Sequence, residues 1–131
     1  MGSKRIFLGL DIGTKRIGVA LASADSRVAR PVATVSADAP QTIRDYLQEY
    51  EITDIVVGRP RNQAGDTTAQ TKLVEEFMQT FSPKLPVHWQ DESLTSVMAE
   101  QRLKQSKKPY TPADIDAEAA AIILQDFLET L

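Results

Sequence analysis

One short run at residues 54–58, Asp-Ile-Val-Val-Gly, constrains the fold of this chain more than any other feature of its sequence. A strand with no alternating polar face must be covered on both sides, which is typical of a central strand in a layered α/β sheet. Residues 40–50 and 67–81 flank the run with apolar side chains at helical spacing, the second after a capping-box sequence at residues 67–70. The run therefore indicates a sheet between helices.

The other segments complete this pattern. Three further apolar runs are predicted as strands and lie at residues 5–11, 17–22 and 28–35. The breaks between them are short, which favours antiparallel hairpins, and Pro31 indicates an edge or irregular position in the third strand. Residues 86–90 predict a last strand, and residues 94–103 and 111–131 predict two closing helices. This order predicts a mixed sheet covered by helices.

Composition excludes several classes of protein. A chain of 131 residues, 42% of them hydrophobic, is expected to form one compact domain over residues 1–131. There is no cysteine and His88 is the only histidine, so thiolate and multi-histidine zinc sites are excluded. No apolar stretch approaches the ~20 residues of a membrane span, and Asp11 interrupts the first apolar run too early for a signal peptide. We therefore expect a cytoplasmic protein without a membrane partner.

The charge balance is uneven along the chain. A net charge of −3 argues against nonspecific adhesion to nucleic acid. Basic residues nevertheless outnumber acidic ones in residues 1–30, and residues 102–108 carry Arg102, Lys104, Lys107 and Lys108 without an acid. These runs permit a local basic surface, although charge runs of this kind are more often solvated faces.

Two acidic positions follow predicted strands. Asp11 ends the first strand and precedes Gly13, so it is either an ordinary turn aspartate or a carboxylate that faces a metal or a phosphate. Asp91 and Glu92 end the last strand just before a helix, where acids also favour the helix dipole. Both positions therefore allow a structural and a functional interpretation.

Asp116 is harder to explain by structure alone. Thr111 is the predicted N-cap of the last helix and Asp114 completes a capping box, whereas Asp116 begins the apolar stripe that faces the sheet. A carboxylate in that place costs several kcal/mol unless something compensates its charge. A divalent cation shared with other carboxylates would do so, and oxygen ligands suit Mg²⁺ or Mn²⁺. Such ions, often in pairs, are typical of phosphodiester cleavage.

Four blocks of the sequence, at residues 8–20, 58–70, 91–95 and 115–125, closely resemble the YqgF/RuvX family. Its members are described as Holliday-junction resolvases and as pre-16S ribosomal RNA processing nucleases. The resemblance implies an RNase H-like fold, a five-stranded mixed sheet with helices on both faces, in agreement with the element order. It also implies that Asp11, the pair Asp91–Glu92 and Asp116 are catalytic acids.

The resemblance and the oxygen-only donor set together indicate a metal-dependent endonuclease that uses Mg²⁺ or Mn²⁺, with two ions expected when substrate is bound. Asp11, Glu92 and Asp116 are the expected ligands. Glu92 is preferred over Asp91 for its longer side chain, and Asp91 stays open. Ser93 replaces an arginine of the family pattern, which removes one expected phosphate or ion-pair contact.

Basic residues near these acids are candidates for substrate binding. Lys15 and Arg16 follow Asp11 closely and are expected to track a neighbouring phosphate. The block after the central strand carries Arg59, Arg61 and Asn62, which are expected to contact the phosphate backbone beside a helix N-terminus. A turn with solvated arginines is the structural alternative.

Several functions stay open at this point. We expect processing of the 5′ end of pre-16S rRNA, with resolution of four-way DNA junctions as the alternative. A non-catalytic RNA-binding ribosome-assembly factor is a third possibility, and residues 11–14 also resemble a phosphate loop of actin-like ATPases and sugar kinases. The helices show no second apolar stripe, so a monomer or weak homodimer is expected.

Overall fold

The computed structural model of the protein describes residues 4–60, 68–92 and 95–131, with side chains in the last range from residue 97 onward. The described residues form a mixed sheet of five strands in the order β3-β2-β1-β4-β5. The strands are β1 (Ile6–Ile12), β2 (Arg16–Ser23), β3 (Arg30–Ser36), β4 (Asp54–Pro60) and β5 (Val87–Glu92). The helices are α1 (Pro40–Glu49), α2 (Ala69–Phe81), α3 (Thr95–Gln105) and α4 (Pro112–Leu128).

The sheet topology confirms the predicted hairpin start. β1 pairs antiparallel with β2, and β2 pairs antiparallel with β3. β4 pairs parallel with β1 and with β5, and its residues 54–58 are all buried, as the apolar run predicted. Pro31 lies in the edge strand β3 opposite Ala20, beside a shift of register, which confirms the expected irregular edge.

Helices cover both faces of the sheet. On one face Leu8, Leu10 and Val57 pack with residues of α1 and α2, such as Ile43 and Val74. On the other face Phe7, Ala20 and Val56 pack with Ala120, Ile123 and Leu124 of α4. α3 lies outside α4 and contacts it through Ala99, Ala119 and Ile122. This arrangement buries the apolar side chains of a layered α/β domain.

Some predicted boundaries were wrong by a few residues. The capping box of α2 consists of Thr68 and Thr71, one residue later than predicted, and Thr67 lies outside the described residues. α4 ends at Leu128 rather than at Leu131, and its Thr111–Asp114 capping box is confirmed. β5 continues beyond residue 90 because pairing with β4 extends to Glu92, so the acidic pair belongs to the strand.

Within the described ranges, no helix is both long enough and apolar enough to cross a membrane.

Candidate active site

Asp11 and Asp116 come together at one end of the sheet. Asp11 lies opposite Gly18 in the β1–β2 pair. A Cβ atom on Gly18 would lie only 1.9 Å from the carbonyl oxygen of Asp116, so the glycine allows the first turns of α4 to lie directly on the sheet. Thr34 of β3 also holds this part of α4, since its Oγ1 donates a hydrogen bond to the carbonyl of Ala113 at 2.5 Å. Sheet and helix thus place the two aspartates close together.

The electrostatics of the pair are unusual. Burial raises the pKa of Asp11, and the negative charge of Asp116 raises it further, to about 6 from an ordinary value of 3.8. Arg16 compensates the second carboxylate, because its Nε donates a hydrogen bond to Asp116 Oδ2 at 2.6 Å. Asp11 is therefore the less compensated of these two carboxylates.

Strand alternation separates Asp91 from Glu92. Asp91 is in register with Arg59, and Glu92 with Pro60. Trp89 packs with the α1/α2 side of the sheet, and Asp91, two residues later, points to that same side. Glu92 points to the side covered by α4, as Asp11 does. The register therefore favours Glu92 over Asp91 as the predicted metal ligand, because Glu92 lies on the same face of the sheet as Asp11.

The three predicted ligands do not form one tight cluster. Among the described residues, no group of three or more His, Asp or Glu side chains lies close enough to hold a metal ion. The structure brings Asp11 and Asp116 together, and Arg16 already neutralises the second of them. The ligand roles of Asp11, Glu92 and Asp116 stay predictions.

The donor chemistry nevertheless fits a hard cation. Asp11 and Asp116 offer carboxylate oxygens, and Glu92 lies on the same face of the sheet. Mg²⁺ and Mn²⁺ prefer such oxygen ligands over nitrogen or sulfur. A cation at this place would also lower the repulsion that raises the pKa of Asp11.

The β1–β2 turn forms the rim of the site. Gly13, Thr14, Lys15, Arg16 and Asp116 line a small open pocket of about 170 Å³. The Gly13 amide donates a hydrogen bond to the Arg16 carbonyl at 2.9 Å and closes the turn. Lys15 is exposed, whereas the guanidinium of Arg16 is engaged with Asp116. No local spacing signals that ion pair, because 100 positions separate its members.

Arg59 is also engaged with the protein. Its guanidinium carbon lies 4.4 Å from the ring centroid of Trp89, and its Nε lies 3.8 Å from Glu75 Oε1. The predicted phosphate contact of Arg59 would therefore compete with a cation–π contact. Arg61, Asn62 and Ser93 lie outside the described residues.

A buried carboxylate, Asp54, lies at the opposite end of the sheet, where no sequence motif predicts a functional residue. Asp54 starts β4 and accepts hydrogen bonds from Thr53 at 2.6 Å, Arg5 at 3.1 Å and His88 at 2.8 Å. Burial alone would raise its pKa, but these hydrogen bonds and the Arg5 charge lower it to about 2. Its hydrogen bonds are satisfied within the fold, which indicates a structural role.

The fold itself defines a class of protein. RuvC from Thermus thermophilus, solved in complex with a Holliday junction substrate, superposes with a TM-score of 0.58 at 12% sequence identity, over 96% of this chain and 94% of the RuvC chain. A second structure of the same RuvC gives a TM-score of 0.50 at 13% identity, over 95% of each chain. The likeness shows an RNase H-like fold, as predicted.

Sequence comparison is more specific than the fold. The family model for RuvX, described as "Holliday junction resolvase", matches residues 5–130. A relative from Chloroflexus aurantiacus named "Putative pre-16S rRNA nuclease" is 42% identical over 95% of this chain and 87% of its own length. A relative of the same name from Synechocystis is 37% identical over 98% of this chain and 90% of its own length. The chain belongs to the RuvX family and is an enzyme of the nuclease class.

Proposed function

We propose that this protein is a divalent-metal-dependent endonuclease that cuts precursor 16S rRNA at its 5′ end. The observation that carries the proposal is the pairing of Asp11 with Asp116 at the end of the central strand β1, in a chain of the RuvX family. Relatives that are 35% to 42% identical bear the name of a pre-16S rRNA nuclease, which supports the substrate.

Asp11 and Asp116 would hold the ion, with Glu92 as a third ligand from the same face of the sheet. Mg²⁺ or Mn²⁺ held there, as two ions when substrate is present, would supply Lewis acidity for the phosphate and for the attacking water. Arg16 orients the Asp116 carboxylate through its hydrogen bond. Lys15, exposed on the rim, is placed to contact a phosphate next to the cut bond.

Junction resolution is the second candidate function. The description of the matched family and the fold shared with RuvC both favour it. Resolution of a four-way junction takes two symmetric incisions, so it requires a twofold dimer, whereas one cut at an RNA end requires a single site. We propose a monomer or weak homodimer that works in the cytoplasm, where ribosomes assemble.

A comparison of substrates tests the proposal. Purified protein is incubated with a pre-16S 5′-end RNA, a four-way DNA junction or an unbranched DNA duplex, each with Mn²⁺, Mg²⁺ or EDTA. We expect one discrete cut in the RNA with either metal and none with EDTA. Paired symmetric cuts in the junction by a protein that light scattering shows to be a stable dimer would support the resolvase instead. Tight RNA binding without cleavage would indicate a non-catalytic assembly factor.

A further inference from the structure

The basic segment 104–108, at the end of α3 and in the link to α4, lies at the same end of the molecule as the aspartate pair. α4 begins at Pro112, and its residue Asp116 lies against Gly18 of the sheet. The cap residue Thr111 is about 8 Å from Asp116 along the helix axis at 1.5 Å per residue. Leu103 near the end of α3 lines one groove together with Ala113, so the end of α3 lies beside the start of α4.

The acidic neighbours of this segment are already paired. Glu118 accepts a hydrogen bond from Arg102 at 3.3 Å. Glu100 accepts a hydrogen bond from the Tyr110 hydroxyl at 3.3 Å. Asp114 is engaged in the capping box of α4. In the described ranges, each of these three acids therefore has a partner other than the lysines.

The lysines of the segment keep their charges uncompensated. Lys104, Lys107 and Lys108 are exposed, and no carboxylate in the described part of the chain lies within ion-pair distance of them. Like charges so close together repel one another. The protein as a whole carries a charge of −3, so this positive surface is a local exception.

Lys107 is one of four non-glycine residues with a positive φ in the described ranges, with Arg27, Glu51 and Ser82. Its backbone φ is 60°, in the left-handed region that follows the end of α3. Glycine is the usual residue at that position after a helix, because a side chain there is strained. Lys107 therefore keeps a long, charged side chain at a place where glycine would be more stable.

We propose that Lys104, Lys107 and Lys108 form a phosphate-binding surface that holds the nucleic-acid strand beside the bond to be cut. The inference rests on the proposed function, because it takes the aspartate pair as the cutting site. Lysine ammonium groups act as point charges toward phosphates without reading the base sequence. The surface would therefore increase affinity and place the strand without taking part in the chemistry.

The test compares a triple Lys104→Gln, Lys107→Gln, Lys108→Gln variant with the wild type on the pre-16S 5′-end RNA. In EDTA, we expect the triple variant to bind at least about tenfold more weakly and the slope of log K against log salt to decrease by roughly 2, since each phosphate contact contributes about 0.7 to 0.9. With metal, KM should rise while kcat at saturating RNA stays unchanged. Lys84→Gln is the matched control, since the exposed Lys84 precedes β5 at the opposite end of the sheet.

Two further variants separate charge from folding. Lys107→Gly should raise the Tm by a few degrees, because it relieves the left-handed strain, yet weaken RNA binding. A triple lysine-to-arginine variant should keep wild-type affinity. If the triple glutamine variant keeps the wild-type affinity and salt slope while the wild type cleaves normally, the three lysines do not form a phosphate-binding surface. The proposed function would then stand. A wild type that neither binds nor cuts any of the nucleic acids would overturn both.

Discussion

Asp11 is half-buried and Asp54 is buried, and the two carboxylates lie at opposite ends of the same sheet. Their environments shift their pKa values in opposite directions. Asp54 is surrounded by donors, and hydrogen bonds from Thr53, His88 and Arg5 lower its pKa to about 2 in spite of burial. Asp11 is half-buried and faces Asp116, so that burial and repulsion raise its pKa to about 6. The Asp54 carboxylate is thus stabilised by hydrogen-bond donors, whereas Asp11 and Asp116 bring two negative charges close together.

The opposite pKa shifts indicate a structural role for Asp54 and a functional role for Asp11. A lowered pKa means that the charged carboxylate stabilises the fold above its ordinary pKa, and this contribution is lost as the pH falls toward 2. A raised pKa means the opposite, because ionisation of Asp11 destabilises the fold as the pH rises through about 4 to 6. A group that destabilises the protein at neutral pH is a candidate for function.

The largest expected effect concerns catalysis at the Asp11 end. Asp11→Asn or Asp116→Asn should lower the cleavage rate at least about 100-fold, because removing a charge that stabilises the transition state has effects of this order. Asp25→Asn is the matched control, since Asp25 is exposed and pairs with Lys4 near the start of β1. Single-turnover cleavage of the pre-16S 5′-end RNA measures the rates. Wild-type rates in both variants would make Asp11 and Asp116 structural residues.

A smaller effect should follow from moving α4. Gly18→Ala places a Cβ 1.9 Å from the Asp116 carbonyl oxygen, so the first turn of the helix must shift. We expect a loss of about 1 to 3 kcal/mol in the free energy of unfolding and about a tenfold drop in cleavage. Gly9→Ala also crowds α4, with its Cβ 2.9 Å from Leu124 Cβ, but away from the aspartates. Gly9→Ala should destabilise the protein and leave the cleavage rate of the folded fraction unchanged. Equal losses of cleavage rate in Gly9→Ala and Gly18→Ala would show that the position of Asp116 is not what matters.

The Asp54 end should respond in stability alone. Asp54→Asn removes the charge that Arg5 and His88 contact, and at pH 7 it should lower the free energy of unfolding by about 2 kcal/mol. The deficit should shrink as the pH falls from about 4 toward 2, where wild-type Asp54 itself takes up a proton. Urea unfolding between pH 2.5 and 7 measures it. A large loss of cleavage in the folded variant would contradict the structural role.

The last expected effect has the opposite sign, a gain in stability at the Asp11 end. Asp11→Asn removes a charge whose pKa is raised to about 6, so at pH 7.5 it should stabilise the fold by about 1 to 3 kcal/mol. The gain should vanish below about pH 4, where Asp11 is protonated in the unfolded chain as well as in the folded wild type. Urea unfolding of the same variant at pH 4 and pH 7.5 provides the check, and a loss of stability at pH 7.5 would show that Asp11 is compensated after all.

The sequence alone predicted much of the structure at the Asp11 end of the sheet and little of it at the Asp54 end. The buried strand β4, the Thr111–Asp114 cap and the sheet-facing position of Asp116 all follow from local patterns, and the structure confirms them. The contact of Arg5 and His88 with Asp54 depends on which strands are neighbours, which no local period reveals. The face of Glu92 likewise depends on the exact register of β5 against β4, since one residue of slip would exchange it with Asp91.

Direct Mn²⁺ binding tests the central claim that the Asp11–Asp116 end of the sheet is a metal site. Titration followed by electron paramagnetic resonance measures free Mn²⁺ without RNA and without turnover. We expect the wild type and Asp25→Asn to bind Mn²⁺ with the same affinity. Asp11→Asn and Asp116→Asn should bind it at least about tenfold more weakly, because loss of a residue that only hydrogen-bonds a metal ligand already lowers metal affinity by about that factor. Wild-type Mn²⁺ affinity in both Asp11→Asn and Asp116→Asn would contradict the account.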